Sequence, residues 1–544
     1  MFKFLKNFDF KNFYGILIFF VCLASYIYFG FSASNWGYNF SDEIKLYDTI
    51  KQSFLTDTGL LLPRWYSYPS LMYLISMFST LLYLIINYYD SITNLSLSNA
   101  NEIKIFLQIL DNLYVEIITY LRKIFIILSL LVPIFIFIAC RLLNIRFLYS
   151  ILACSIILSS FPIFYHVRWV ATDTLLLITG IATAVVFLWA KNKPDLFRIC
   201  MLSITAGLAV SSKYPGGIFL ILPLILVNRD IFSIKKSFLV LLIFCNTFYL
   251  ITPGSLIEFW RFYTDVKFEI SHYSNLGHWW HTIDSGWKHL IQIISFLALK
   301  SLSNNPIITL VYFIFCCVGS YFCFKNSKIN FLAFCLIPLI YVIYFSSMNV
   351  MIVRNLLILI PFIVVMVSYC FEEISKKVNS RYVEIIICIL ITLFVFFSNY
   401  KFFTSTQSLN ITKNDFGSQI IKFISTNKDK KIAISSKALK HINQKQNFEL
   451  ISNTTFESID MLIFERSEIR LNEKDYLKKE FIGRFANIQG NYKVIAGPNE
   501  FDINYYPYSP GGKNRILVIF GENARLLAAN KKKGIIEGII NFSK

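Results

Sequence analysis

Uncharged runs of about 17–20 residues recur between residues 14 and 398, each long enough to cross the hydrocarbon core of a bilayer as a helix. Backbone polar groups in lipid must be satisfied within the segment, so such runs fold as helices. The chain has 544 residues, of which 56% are hydrophobic and 16% charged; soluble domains carry roughly 25% charged residues. The pattern predicts a polytopic α-helical membrane protein. Spans are predicted near 14–31, 124–140, 147–161, 173–190, 199–212, 215–227, 237–251, 306–324, 329–345, 356–371 and 382–398, about 11 in all.

The net charge is +19, but much of the basic excess lies in short loops between spans. These hold Lys3, Lys6 and Lys11; Arg141 and Arg146; Lys191, Lys193 and Arg198; Arg229, Lys235 and Lys236; Lys325 and Lys328; and Lys376, Lys377 and Arg381. All fall on one side, which the positive-inside rule makes cytoplasmic. The charge therefore reads as topology, and nucleic acid is not expected as a partner. The expected location is the inner (plasma) membrane, crossed many times, with the N-terminus cytoplasmic. The basic N-terminus and its apolar run resemble a signal peptide, but the run is too long and no clear cleavage site follows, so it reads as an uncleaved first span.

The opposite side carries the long loops 32–123 and 252–305. Within the first, 70–89 (SLMYLISMFSTLLYLIINYY) is uncharged and long enough to span. Counted alone, it would put every later basic loop outside, so it is read as an interfacial helix. Residues 103–119 and 288–300 are read in the same way, and a paired re-entry of 70–89 with 103–121 also preserves the parity. All 11 cysteines fall in hydrophobic stretches and read as small packing residues rather than disulfides or ligands.

From residue 400 the chain turns polar. Short β-type runs occur at 431–435, 461–465, 493–497 and 515–521, with helical periodicity at 415–425. Two domains are expected: 1–399 in the membrane, and 400–544 as an extracytoplasmic α/β domain. The ending after Lys531, Lys532 and Lys533, GIIEGIINFSK, reads as a loose tail.

Six charged residues, Asp42, Glu43, Arg168, Asp173, Lys213 and Arg354, fall at the outer membrane interface. Asp42 and Glu43 follow the first span in NWGYNFSDEIKLYD. They serve either as a helix-capping pair or as a base with a partner that orients it. Asp173, in HVRWVATDTLLL, either caps the helix it opens or joins the same chemistry; Arg168 is an interfacial anchor or a phosphate ligand. Lys213, in the turn SSKYPGG, either snorkels or pairs with a phosphate as a point charge. Arg354 stands at the outer mouth of a span, where the positive-inside rule asks for no cation. Its guanidinium suits bidentate phosphate binding. Carboxylates for a hydroxyl and cations for a phosphate, at headgroup depth, suit transfer from a phosphate-linked lipid. His272, His278 and His281 lie in EISHYSNLGHWWHT with a spacing that fits no common zinc pattern and no nearby Cys, so no metal site is expected there. A divalent cation is compatible with the carboxylates but not required by them.

In order along the chain, SDEIKLYDTIKQS, RWYSYPSLMYLIS, RWVATD, SSKYPGG, TPGSLIEFWRFYTDVKFEISHYSNLGH and the Arg-Asn before the apolar run ending at Pro361 form a series. Over about residues 14–399 the chain resembles the bacterial family 39 glycosyltransferases of the GT-C class, relatives of protein O-mannosyltransferases and of the aminoarabinose transferase acting on lipid A. The resemblance implies a GT-C-type membrane fold with interfacial helices in the first outer loop. It implies an inverting glycosyltransferase that takes a sugar from a polyprenyl-phosphate donor to a lipid, glycan or protein hydroxyl. It implies Asp42 as the catalytic base, Glu43 and Asp173 as residues that shape the acceptor site or hold a cation, and Arg168, Lys213 and Arg354 on the donor phosphate. Tyr68, His272 and His278 are the candidates on the acceptor side of the loops. The Ser before the acidic pair stands where the family often has an apolar or aromatic residue, and residues 90–120 enlarge the first loop. The rival readings are a lipid-linked oligosaccharide flippase, whose pathway charges would lie inside the spans, and an O-antigen polymerase or ligase.

Overall fold

The computed structural model of the protein describes residues 10–34, 41–55, 61–93, 100–228, 233–277, 282–303, 305–378, 381–409, 414–427, 429–439 and 449–451, and farther on 460–465, 492–496, 516–520 and 536–541. The chain forms two compact units, the first reaching Phe402 and the second built chiefly from Phe403–Lys544.

The first unit is helical. Its elements are α1 Phe10–Ser34, α2 Ser41–Ser53, α3 Leu71–Thr93, α4 Ala100–Ser129, α5 Leu131–Leu142, α6 Phe147–Leu158, α7 Phe161–Val167, α8 Thr172–Ala190 and α9 Asp195–Ser212. A 3-10 helix, Tyr214–Leu220, leads into α10 Ile221–Val227 and then α11 Ile234–Ile251. The turn Gly254–Ile257 precedes α12 Phe259–Ser271 and a single π-helical turn, His272–Leu276. Then come α13 Trp287–Leu299, α14 Pro306–Asn326, α15 Lys328–Ser346, the 3-10 turn Val353–Leu356, α16 Leu359–Val378 and α17 Arg381–Leu409. Among the described residues, eight helices are long and apolar enough to cross a membrane, or nine if the bent pair α6–α7 is one span. This is a multi-pass α-helical membrane protein. Of the spans predicted, 215–227 and 382–398 appear as short apolar helices, Tyr214–Val227 and Glu384–Ser398. The bend between α6 and α7 is 57°; Pro162 stands in the first turn of α7, where it cannot continue the hydrogen bonding of α6.

The 70–89 segment is α3, and its surroundings set its place. Residues 102–142 form an apolar helical stretch of 41 residues, about 61 Å at 1.5 Å per residue and twice the roughly 30 Å hydrocarbon core. The last part, α5, packs on α6, α8 and α16. Helix α3, itself long and apolar enough to span, packs along the first half of this stretch, with Met72, Tyr73, Met77 and Leu84 against Phe106, Leu110, Leu113 and Ile117. Helix α2 adds Leu46, Tyr47 and Ile50 to the same core.

The second unit contains α18 Asn414–Thr426 and a six-stranded sheet of β1 Ile432–Ser435, β2 Glu449–Ile451, β3 Met461–Glu465, β4 Tyr492–Ala496, β5 Ile516–Phe520 and β6 Ile536–Asn541, in the order β2-β6-β1-β3-β5-β4. Only β1 and β3 run parallel; the other pairings are antiparallel. The expected loose tail is corrected here. Strand β6 lies inside the sheet between β1 and β2, with Gly538 opposite Ile434 and Ile540 opposite Leu450.

Candidate active site

Successive residues on a helix point about 100° apart, and this separates the acidic pair in the first turn of α2. Glu43 turns inward and is fully buried. It takes a two-pronged contact from Arg122 of α4, Nε to Oε1 at 3.0 Å and a second guanidinium nitrogen to Oε2 at 2.6 Å. The Val170 amide donates to Glu43 Oε1 at 3.1 Å, and Arg122 also donates to the Ser34 carbonyl at 3.1 Å. One buried ion pair thus joins the end of α1, the start of α2, helix α4 and the turn that leads into α8. The two elements it fixes, α2 and α8, carry Asp42 and Asp173.

Asp42 faces the other way and stays partly open, at 16% side-chain exposure. A guanidinium nitrogen of Arg354 donates to its Oδ2 at 2.8 Å, and the Tyr68 hydroxyl donates to the same oxygen at 3.1 Å. A second nitrogen of Arg354 reaches the Tyr68 oxygen at 3.2 Å, and its Nε lies 3.7 Å from Asp173 Oδ2. Asp173 makes no cap: the N-cap of α8 is Ala171, and the Asp173 carboxylate goes to Lys213 Nζ at 2.6 Å. Lys213 also donates to Asn355 Oδ1 at 2.5 Å, and Asn355 Nδ2 donates to the Tyr273 hydroxyl at 3.4 Å. Five sequence-expected residues, Asp42, Tyr68, Asp173, Lys213 and Arg354, form one connected cluster. They come from five separate stretches of chain at the end of the helical bundle.

Local geometry aims each cation. Lys213 is extended (φ −159°, ψ 136°) between α9 and the 3-10 helix. The turn closes so tightly that a side chain at Gly216 would run into the Ala209 carbonyl. Burial pulls the Lys213 ammonium below its ordinary value, with Asp173 opposing. Arg354 sits in the 3-10 turn Val353–Leu356 and is buried with its neighbour Asn355. Burial first, then the charge of Asp42, pushes the Tyr68 phenol well up, so Tyr68 remains a hydrogen-bond donor to the carboxylate.

The segment that carries Tyr68 is stitched to α12. The Tyr66 amide donates to Asp265 Oδ2 at 2.8 Å and its hydroxyl to Glu258 Oε2 at 2.6 Å, while the Tyr214 hydroxyl donates to the Tyr66 carbonyl at 2.7 Å. The Tyr66 hydroxyl fills the space a side chain at Gly254 would need.

Arg168 donates from Nε to the Tyr165 carbonyl at 3.5 Å. It is fully buried, with its guanidinium 4.8 Å from the centre of the Phe164 ring and 5.2 Å from that of Tyr165. His272 is half-buried between Phe268 and Tyr273, with ring centres 5.9 and 5.8 Å away; burial first and Lys45 second pull its imidazole down. His278 and His281 lie outside the described residues. Among the described residues no group of three or more His, Cys, Asp or Glu could hold a metal ion. The converging carboxylates Asp42 and Asp173 already face Arg354 and Lys213, so this donor set does not fit a divalent cation. Sequence reasoning missed Arg122, Asn355 and Tyr273. For the last a signal existed: Glu258, Asp265 and Tyr273 recur at intervals of seven and eight, the spacing of one helix face.

No family model and no curated protein matches the chain. Among solved structures it is similar to ArnT from Cupriavidus metallidurans bound to undecaprenyl phosphate (TM-score 0.48, 10% identity, covering 94% of this chain and 98% of that one). The apo state of the same protein gives a TM-score of 0.49 at 11% identity, covering 92% and 97%. The Archaeoglobus fulgidus oligosaccharyltransferase AglB, in complex with an inhibitory peptide and a dolichol-phosphate, gives 0.43 at 10% identity, covering 82% and 69%. All three scores fall below 0.5, and the case for the site rests on the contacts above.

Proposed function

We propose that this protein is an integral-membrane glycosyltransferase of the GT-C type, moving a sugar from a polyprenyl-phosphate donor to an acceptor hydroxyl on a lipid, glycan or protein. The observation that carries the reading is the Arg354 guanidinium, which reaches Asp42, Tyr68 and Asp173 together at one end of the helical bundle. The basic loops of the spans argue by the positive-inside rule that this end faces away from the cytoplasm.

In the reaction, Asp42 accepts the proton of the acceptor hydroxyl as its oxygen bonds to the anomeric carbon. The bond from that carbon to the phosphate oxygen breaks, and the lipid phosphate leaves with the electron pair. Attack opposite the leaving group inverts the anomeric centre. Arg354 and Lys213 stabilise the charge that develops on the phosphate, an electrostatic role suited to a site shielded from water. The bridge from Arg354 to Asp42 couples the two halves. A phosphate that draws the guanidinium toward itself loosens it from Asp42 and makes Oδ2 available for the proton. Asp173 keeps Lys213 and Arg354 in place. Glu43 positions α2 against the turn that leads into α8.

The test is transfer of labelled sugar in membranes from undecaprenyl phosphate carrying glucose, mannose or arabinose. Transfer from one of these donors supports the reading. Movement of the labelled lipid across the bilayer without transfer would replace it with the flippase.

A further inference from the structure

The chain reaches the 3-10 turn that carries Arg354 through residues 347–352, which form no helix of their own and are fastened to the stretch between α12 and the start of α13. The Gly286 amide donates to the Ser346 carbonyl at 2.6 Å, and His289 Nδ1, on α13, donates to the Met348 carbonyl at 2.8 Å. Asn349 is held three times. Its backbone amide donates to the Tyr273 carbonyl at 2.7 Å, its Nδ2 donates to the Ser274 carbonyl at 2.6 Å, and its carbonyl accepts from the Ile283 amide at 3.0 Å. Val350 then pairs with Thr282 in an antiparallel bridge. Gly277 (φ 72°, ψ 176°) and Gly286 (φ 84°, ψ −133°) let the loop turn back to make these bonds, in conformations open to glycine and strained for other residues. Two of the bonds come from side chains, those of Asn349 and His289.

Between Asn349 and Arg354 the chain has little slack. Val350, Ile352 and Val353 are buried, and Ile352 is extended (φ −121°, ψ 118°) where the turn begins. A shift at Asn349 therefore carries through to the turn. On the far side of Arg354, the Asn355 carbonyl accepts from the Tyr341 hydroxyl at 2.8 Å, and the Asn355 side chain meets Tyr273 and Lys213. Tyr273 thus holds the segment twice, by its carbonyl before the turn and by its hydroxyl after it. The guanidinium is drawn to two carboxylates and stands 2.8 Å from Asp42 and 3.7 Å from Asp173. Attraction alone does not apportion a long, flexible side chain between them; the position of its backbone does.

We propose that Asn349 is a positioning residue for Arg354: by tying residues 347–352 to the π-helical turn it fixes the backbone from which the guanidinium spans Asp42, Tyr68 and Asp173. His289 supports the same segment one residue earlier. The inference rests on the glycosyltransferase reading and adds to it a residue that acts through Arg354 without touching substrate. Misplacing a reacting geometry by about 1 Å from a distant residue costs up to about 10²-fold in rate, so a lost tether at Asn349 is felt in transfer.

The experiment is a double-mutant cycle in the full-length protein. Asn349→Ala, His289→Leu and His289→Asn are each made with Arg354 intact and with Arg354→Ala. Sugar transfer per folded molecule, binding of undecaprenyl phosphate and the thermal midpoint are measured for all. With Arg354 intact, we expect Asn349→Ala to lower transfer about tenfold and to weaken binding of the lipid phosphate, with the midpoint little changed. In the Arg354→Ala background it should lower neither further, because residues that act through one another are not additive. His289→Leu should follow the same pattern, and His289→Asn should restore most of the loss, since its side-chain amide can donate from near the place of Nδ1. Losses that add to those of Arg354→Ala, losses that follow the thermal midpoint, or unchanged transfer and binding would overturn the inference. A wild type that binds undecaprenyl phosphate but transfers no sugar from the glucosyl, mannosyl or arabinosyl donor defeats the glycosyltransferase reading, and the cycle in binding then decides the role of Asn349. A wild type that neither transfers nor binds overturns both.

Discussion

Arg354 and Asp42, 312 residues apart in the chain, meet at 2.8 Å at the end of the helical bundle. On the proposed reading, this cation takes the donor phosphate and this carboxylate the acceptor hydroxyl. The same guanidinium extends to Asp173 and, through it, to Lys213. Disturbing Arg354 should therefore affect both partners of the reaction.

We expect Arg354→Ala to lower kcat/KM by about 10²-fold or more, as loss of a donor to developing charge does elsewhere. Arg354→Lys should recover only part of it, because an ammonium cannot reproduce the planar fork that touches Asp42 and Tyr68 together. Steady-state transfer from a polyprenyl-phosphate sugar checks this. Full activity in the Lys variant would move the phosphate away from Arg354.

Glu43 should behave differently from its neighbour. Its pair with Arg122 is buried on both sides, and removing one partner of such a pair costs about 3–5 kcal/mol. Glu43→Gln should lower the thermal midpoint and yield while leaving measurable transfer per folded molecule. Adding Arg122→Met to it should restore much of the stability. An Glu43→Gln protein of normal stability with no transfer would give Glu43 a chemical role in place of a positioning one.

Much of the membrane unit was legible because uncharged runs mark helices directly, and α8, α11 and α14 begin and end within a few residues of the predicted spans. Asp42, Asp173, Lys213 and Arg354 were legible as isolated charges at span ends. Their meeting was not, since it depends on tertiary packing between stretches hundreds of residues apart. Arg122 escaped notice because it lies within a long helix, where its buried partner Glu43 cannot be seen in the local pattern. Strand β6 was missed because GIIEGIIN carries two glycines and is a strand only through its long-range pairing with β1 and β2.

The contact of Gly254 with Tyr66 gives a sharp packing test. A methyl group at residue 254 would run into the Tyr66 hydroxyl and ring, displacing the segment that carries Tyr68. Overpacking of this kind costs about 1–3 kcal/mol. We expect Gly254→Ala to lower the thermal midpoint and to reduce transfer through loss of the contact between Tyr68 and Asp42. A variant matching wild type in both measurements would contradict the packing of this segment against α12.

The central claim is that Asp42 accepts the acceptor's proton. The most direct measurement is sugar transfer by wild type and Asp42→Asn in membranes matched for protein amount, using the undecaprenyl-phosphate donor that wild type accepts. We expect transfer in the wild type and a loss of at least about 10²-fold in the variant, with donor binding retained. Equal transfer in both would contradict Asp42 as the base.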